Sequence, residues 1–206
     1  MKKFKNFKIQ KLKKVIKKDS NKIINLILKE NPSSILASLE KNFINEYLNK
    51  IAKSKNALLY VIRCNNKIVG YAIIAKKMEA LVSHFSNIKM KLIFSMIKRF
   101  QIYSLLNAII SYLKIDIIFL EKKFKRMIKL NYNLNLLAID KKFQSKGLGT
   151  FFLKNIFKNI KKTKYVTVEA VESAATKFYV LKHNFKLAGN KLRLPKKQSI
   201  LYKKII

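Results

Sequence analysis

The segment from residue 134 to residue 160 constrains the fold more than any other. Residues 134–139 read as an apolar strand and residues 140–146 as a polar turn. Gly147 and Gly149 then open a helix that continues through Phe152 and Leu153. Backbone N–H groups converge where such a turn enters a helix, and the helix dipole favours an anion there. Glycine suits the turn because a Cβ would crowd phosphate oxygens or strain the backbone. Lys141, Lys142 and Lys146 add positive charge, so the expected ligand is a pyrophosphate. The segment lacks the Gly-Lys-Ser/Thr end of a P-loop and the third glycine of a dinucleotide fingerprint.

The flanking segments build a sheet around this unit. Residues 4–12 alternate Phe and Ile against Lys and read as a strand. Asp19 and Ser20 offer an N-cap to a helix carrying Ile23, Ile24, Ile27 and Leu28, and Asn31-Pro32 ends it. Ser33 and Ser34 offer to cap a second helix with an apolar stripe from Ile35 to Ile51. Residues 58–62 and 68–74 are β-branched and aromatic runs around Asn65-Asn66-Lys67, the clearest hairpin in the chain. A strand over 165–168, a helix over 174–182 and closing strands at 185–187 and 200–202 follow. The class is α/β, a mixed sheet with helices on its faces. One domain spans 1–206, with a helix-like insertion at about 76–130, rich in Ile, Leu, Phe and Met and dotted with Lys. That insertion reads as helices on the same core, as a lid over a substrate, or as a basic amphipathic patch for an anionic membrane.

Composition narrows the classes of function. The chain has 206 residues, 50% of them apolar, enough for a core and too many for a disordered chain. A single cysteine, Cys64, and two histidines exclude a disulfide framework and argue against a metal site. The formal net charge is +36, yet among 46 basic residues only Arg63, Arg99, Arg126 and Arg193 are arginine. Two readings stay open: the codon bias of an AT-rich genome, or a lysine-rich face selected for RNA or another anionic surface. Nine lysines interrupt residues 1–18, so no secretory signal is legible, and residues 102–120 contain Lys114 and Asp116, which argues against a spanning helix. A cytoplasmic protein is expected, with peripheral membrane association through the insertion as the alternative.

The pattern Gln144-x-x-Gly147-x-Gly149 after a strand resembles the acyl-coenzyme A motif of the GNAT superfamily of N-acetyltransferases. Downstream, strand 166–170 followed by Ala175-x-x-Phe178-Tyr179 and Phe185 is similar to that family's Ala-x-x-Phe-Tyr…Gly-Phe ending. The hairpin at 57–75, ending in Val-Gly-Tyr-Ala, falls where the family has its second and third strands. The resemblance covers roughly residues 3–75 and 131–206. It implies a GNAT-like mixed, mostly antiparallel sheet with flanking helices, the insertion lying between the third and fourth strands. It also implies acetyl-CoA as acyl donor, bound where the fourth and fifth strands splay, and no metal. By this resemblance backbone groups of Leu137, Ala138 and Ile139 pair with the pantetheine arm. Gln144, Ser145, Lys146, Gly147, Leu148, Gly149 and Thr150 hold the pyrophosphate, and Ser173 or Ala174 stands where the family often has a CoA-contacting Asn. The amine attacks the thioester directly, a backbone N–H of the fourth strand stabilises the oxyanion, and Tyr179 protonates the departing thiolate. The chain departs from the pattern in one place. Phe185 lies six residues after Tyr179 rather than five, and Asn184 replaces the glycine, so a one-residue helix bulge is expected to restore Tyr179.

An ammonium must lose a proton before it attacks, and acids are scarce here, 10 in all. Glu169 is the first candidate base and Glu172 the second, while Glu79 and Glu121 could bind a cationic acceptor. His84, His183 and Cys64 read as structural or surface residues. The expected function is transfer of an acetyl group from acetyl-CoA to the primary amine of a small molecule, such as an amino sugar. The alternatives are aminoacyl-tRNA, a ribosomal or other protein amine, or a non-catalytic basic nucleic-acid-binding module on the same fold.

Overall fold

The computed structural model describes residues 4–32, 34–76, 103, 106, 107, 109, 110, 113, 124, 132–160, 165–170, 173–192, 194 and 198–205. The elements in chain order are β1 (Phe7–Leu12), α1 (Lys17–Glu30), a 3-10 turn (Ile35–Ser38), α2 (Lys41–Lys53), β2 (Ala57–Cys64) and β3 (Lys67–Ala75). Then come β4 (Tyr132–Ile139), a second 3-10 turn (Lys141–Phe143), α3 (Leu148–Asn159), β5 (Tyr165–Ala170), α4 (Ser173–His183), β6 (Lys186–Lys191) and β7 (Gln198–Lys204). The strands form a seven-stranded sheet in the order β1-β2-β3-β4-β5-β7-β6. β1–β2, β2–β3, β5–β7 and β6–β7 are antiparallel and β4–β5 is parallel, the mixed, mostly antiparallel α/β sheet expected. The insertion expected at 76–130 falls almost wholly outside the described residues.

The chain packs as two compact units, Met1–Ala75 with Asn135–Lys162, and Lys76–Leu134 with Thr163–Ile206. In the first, α1 lies on β3 and α2 on β2. Ile23, Leu26 and Ile27 of α1 and Ile44, Leu48 and Ile51 of α2 recur at helical spacing and are fully buried. Each such side chain contributes roughly 1.5–3 kcal/mol by leaving water. The hairpin turns on Asn65 and Asn66 at φ 47 and 62, the left-handed pair that a two-residue type I′ turn needs and asparagine tolerates. Lys67, expected in the turn, is the first residue of β3.

Two helix starts differ from expectation, and both differences have tertiary causes. α1 begins at Lys17, so Asp19 and Ser20 sit in its first turn rather than capping it. The Asp19 carboxylate instead accepts both Arg63 Nη groups, at 3.1 and 2.6 Å, and Ser20 Oγ donates to Asn45 Oδ1 at 2.6 Å. Ser34 does cap, accepting from Ala37 N–H at 3.2 Å, but only the 3-10 turn, and α2 starts separately at Lys41.

In the second unit β5 lies between β4 and β7, and α4 packs on β5 and β7. Leu134, Val166, Val168, Phe185, Ile200 and Leu201 form its buried centre. Asn107 is buried and exchanges two 2.7 Å hydrogen bonds with the backbone of Leu194, between β6 and β7.

Candidate functional site

The candidate site is the path from β4 through the turn into α3, all within the first unit from residue 135 onward. β4 is held close to β3 by a glycine. A Cβ on Gly70 would lie 2.5 Å from Ile139 Cδ1, 2.8 Å from the Ala138 carbonyl oxygen and 2.9 Å from Ile62 Cγ2. Asp140 N–H donates to the Val69 carbonyl at 2.8 Å. The Ala138 carbonyl and the Asp140 N–H therefore face β3, while the Asp140 carbonyl accepts from Phe143 N–H at 2.8 Å, and strand alternation turns the Leu137 backbone and the Ile139 N–H the other way. Residues 135–137 of β4 are half-exposed, while Ala138 and Ile139 are buried.

The turn is braced from several sides. Asp140 caps the 3-10 turn by accepting from Lys142 N–H at 3.2 Å and pairs with Lys22 Nζ at 3.2 Å. Partial burial alone would raise its pKa, but the Lys142 N–H and the Lys22 ammonium outweigh that and hold the carboxyl below its ordinary value. Gln144 Nε2 donates to the Ile139 carbonyl at 2.7 Å and to Glu30 Oε2 at 2.8 Å, and Glu30 Oε1 accepts from Lys141 N–H at 3.2 Å. The Gln144 amide nitrogen thus ties the end of β4 to the end of α1. Lys146 Nζ folds back onto the Lys142 carbonyl at 3.1 Å.

Ser145 and Gly147 both take left-handed backbone angles, φ 59 and 83. Gly147 is the N-cap of α3, and no side chain caps that helix. The first N–H groups of α3, on Leu148, Gly149 and Thr150, precede the first intrahelical bond, Phe151 N–H to the Gly147 carbonyl at 3.0 Å. Leu148, Phe152, Leu153 and Ile156 anchor the helix below them. Phe4 stacks on Phe151, ring centroids 4.8 Å apart, and lies 3.7 Å from where a Gly147 Cβ would stand. Glu30 and Phe4 were not legible as loop partners, because both are distant in sequence and neither belongs to a motif.

The predicted catalytic residues lie in the second unit. Tyr179 is buried on α4, with its ring 5.1 Å from that of Phe178 and 5.4 Å from that of Phe185. Burial pushes its phenol well above the ordinary value, so it stays protonated. α4 is regular throughout, without the expected bulge. The extra residue is absorbed at its end instead. Asn184 takes φ 54, the role the missing glycine would fill, and Phe185 N–H donates to the Tyr179 carbonyl at 3.1 Å. Ser173 begins α4. Glu169 faces Lys191, whose Nζ reaches its two carboxylate oxygens at 3.3 and 3.4 Å, in a pair whose side chains are only 13% and 9% exposed. Removing one partner leaves a buried charge, so Lys191→Met should cost about 3–5 kcal/mol in a urea unfolding titration. Recovery in the Glu169→Gln/Lys191→Met double variant would separate the charge from lost packing. Glu172, Glu79, Glu121 and His84 lie outside the described residues. Among the described residues no group of acids, His or Cys could hold a metal, and no helix is long and apolar enough to cross a membrane.

No protein-family model and no curated protein matches the chain. Solved structures do. PH1933 from Pyrococcus horikoshii OT3 is 20% identical with a TM-score of 0.58, covering 96% of this chain and 98% of its own. The ribosomal-protein-S18-alanine N-acetyltransferase of Escherichia coli is 13% identical, TM-score 0.56, covering 97% and 94%. An acetyltransferase of the GNAT family from Streptococcus pneumoniae is 14% identical, TM-score 0.56, covering 97% and 99%. At these identities the likeness is one of fold. This chain has the fold of the GNAT acetyltransferases.

Proposed function

We propose that the chain is an N-acetyltransferase taking acetyl-CoA as donor and the primary amine of a small molecule as acceptor. The observation that carries this reading is the left-handed Gly147 opening the uncapped α3 directly after β4, on a GNAT fold. The residues fit the donor. The N–H groups of Leu148, Gly149 and Thr150, with the Ser145–Gly147 backbone, form a cradle for a pyrophosphate that a side chain at 147 would strain. Gln144 and Glu30 shape that cradle rather than fill it. The Leu137 backbone and the Ile139 N–H, turned away from β3, suit the amides of an extended pantetheine arm, with Ala138 holding β4 to β3.

Acetyl-CoA supplies an activated acyl group as a thioester. The chain's own part is to hold it extended along β4, to keep a proton on Tyr179 for the departing sulfur, and to receive the acceptor. Tyr179→Phe should lower kcat about 10²-fold, the lower range for a general acid, and leave the KM for acetyl-CoA within about threefold of wild type. Thiol release from acetyl-CoA against a panel of amino sugars, polyamines and aminoglycosides reads both. An unchanged kcat would remove Tyr179 from the chemistry. The Escherichia coli neighbour is named for a ribosomal-protein amine, so a peptide amine and an aminoacyl-tRNA belong in the same panel. Turnover of those alone would replace the small-molecule acceptor.

A further inference from the structure

We infer that the recess between the N-terminal strand and the β2–β3 turn is a second anion site, and that it binds the phosphate backbone of a nucleic acid. The recess holds about 250 Å³ and is lined by Lys5, Asn6, Lys8, Arg63, Asn65 and Asn66. Lys8 stands directly opposite Arg63 in the β1–β2 register. Like charges in that position repel, and since Asp19 neutralises Arg63, the charge left for an anion at the recess is that of Lys8 and Lys5. Arg63 is part of the framework. It donates to Asp19 twice, at 3.1 and 2.6 Å, to Gln10 Oε1 at 3.3 Å and to the Asn66 carbonyl at 3.2 Å. These bonds use four of a guanidinium's five donors and fix its position at the recess. Asp19 balances that one charge. Lys5 and Lys8 have no carboxylate partner among the described residues, so the recess keeps a net positive charge.

The lining selects the partner. Among the described residues it is lined by lysine, arginine and asparagine, with no apolar side chain. A membrane-surface site needs apolar residues beside its cations to enter the lipid, and this recess offers none. A polyphosphate chain needs point charges and amide donors, and those are what it has. The site also continues into a basic run: the first 18 residues carry nine lysines and no acid. Among the described residues β1 lies at the edge of the sheet, with no further strand beside the run. The recess and its charge are independent of acetyl-CoA binding at the α3 loop.

The test is fluorescence anisotropy of a labelled 20-nucleotide single-stranded RNA titrated with the full chain between 0.05 and 0.3 M KCl. Lys5→Gln/Lys8→Gln is compared with a control pair at other exposed lysines, Lys53→Gln/Lys158→Gln. Loss of two phosphate contacts should flatten the slope of log affinity against log salt by roughly 1.4. Lys5→Arg/Lys8→Arg should keep the wild-type slope, and the control pair should flatten it by less than half as much. Saturating acetyl-CoA should not displace the RNA. An equal flattening by the control pair would overturn the proposal in favour of a diffuse lysine surface. Displacement by acetyl-CoA would overturn it in favour of the α3 loop. Tighter binding to vesicles of 30% phosphatidylserine than to RNA would overturn it in favour of a membrane. An unchanged slope in a double variant that aggregates would show that the lysines only protect the sheet edge.

Discussion

Gly70→Ala should lower the melting temperature by roughly 6–12 °C, corresponding to about 3 kcal/mol for a chain of this size. Of the three atoms a Cβ would meet, Ile139 Cδ1 ends a side chain and could move aside, whereas Ile62 Cγ2 is the β-branch methyl of a fully buried residue and is held by its χ1. The Ala138 carbonyl oxygen at 2.8 Å can move only if β4 moves with it. The substitution therefore acts on the strand proposed to carry the pantetheine arm. Shortening Ile139 in a Gly70→Ala/Ile139→Val variant should recover less than half of the loss, because the carbonyl contact remains. A melt unchanged from wild type by circular dichroism would show that β3 and β4 do not approach as closely as described.

Gly147→Glu should abolish measurable acetyl-CoA binding while the fold persists. Gly147 sits at φ 83, where a side chain costs about 1–2 kcal/mol, a loss that a chain with this core should survive. The added carboxylate would stand at the mouth of the α3 N-terminus, beside the N–H groups of Leu148, Gly149 and Thr150. It would compete for those donors and repel a pyrophosphate. Glu30→Gln should act more mildly, weakening binding through the brace on Gln144 and Lys141 N–H rather than through the cradle itself.

How much of this was legible depended on how local the cause was. The strand–turn–glycine–helix path declared itself because its determinants lie within fifteen residues and each has a conformational reason. The hairpin at Asn65-Asn66 did so for the same cause. The start of α1 differs from the sequence expectation because Asp19 and Ser20, good caps by propensity, are claimed by Arg63 and Asn45, 44 and 25 residues away. The helical stripe drawn from Ile35 was broken because the Ser34-capped turn stops at Ser38 before α2 begins at Lys41. The substitution of Asn184 for the family's glycine was legible. Its resolution was not, since it rests on asparagine entering the left-handed region rather than on a bulge. Within the site, Glu30 beside Gln144 and Lys191 beside Glu169 are contacts across the fold that no periodicity encodes.

Calorimetric titration of acetyl-CoA into the full chain at about 0.3 M salt, with ATP as polyanion control, tests the central claim most directly. Salt at that level screens the general attraction of a +36 protein for any anion. The predicted result is saturable one-site binding of acetyl-CoA at least about tenfold tighter than ATP and lost in Gly147→Glu. Equal affinities for acetyl-CoA and ATP, or binding that survives Gly147→Glu, would contradict it.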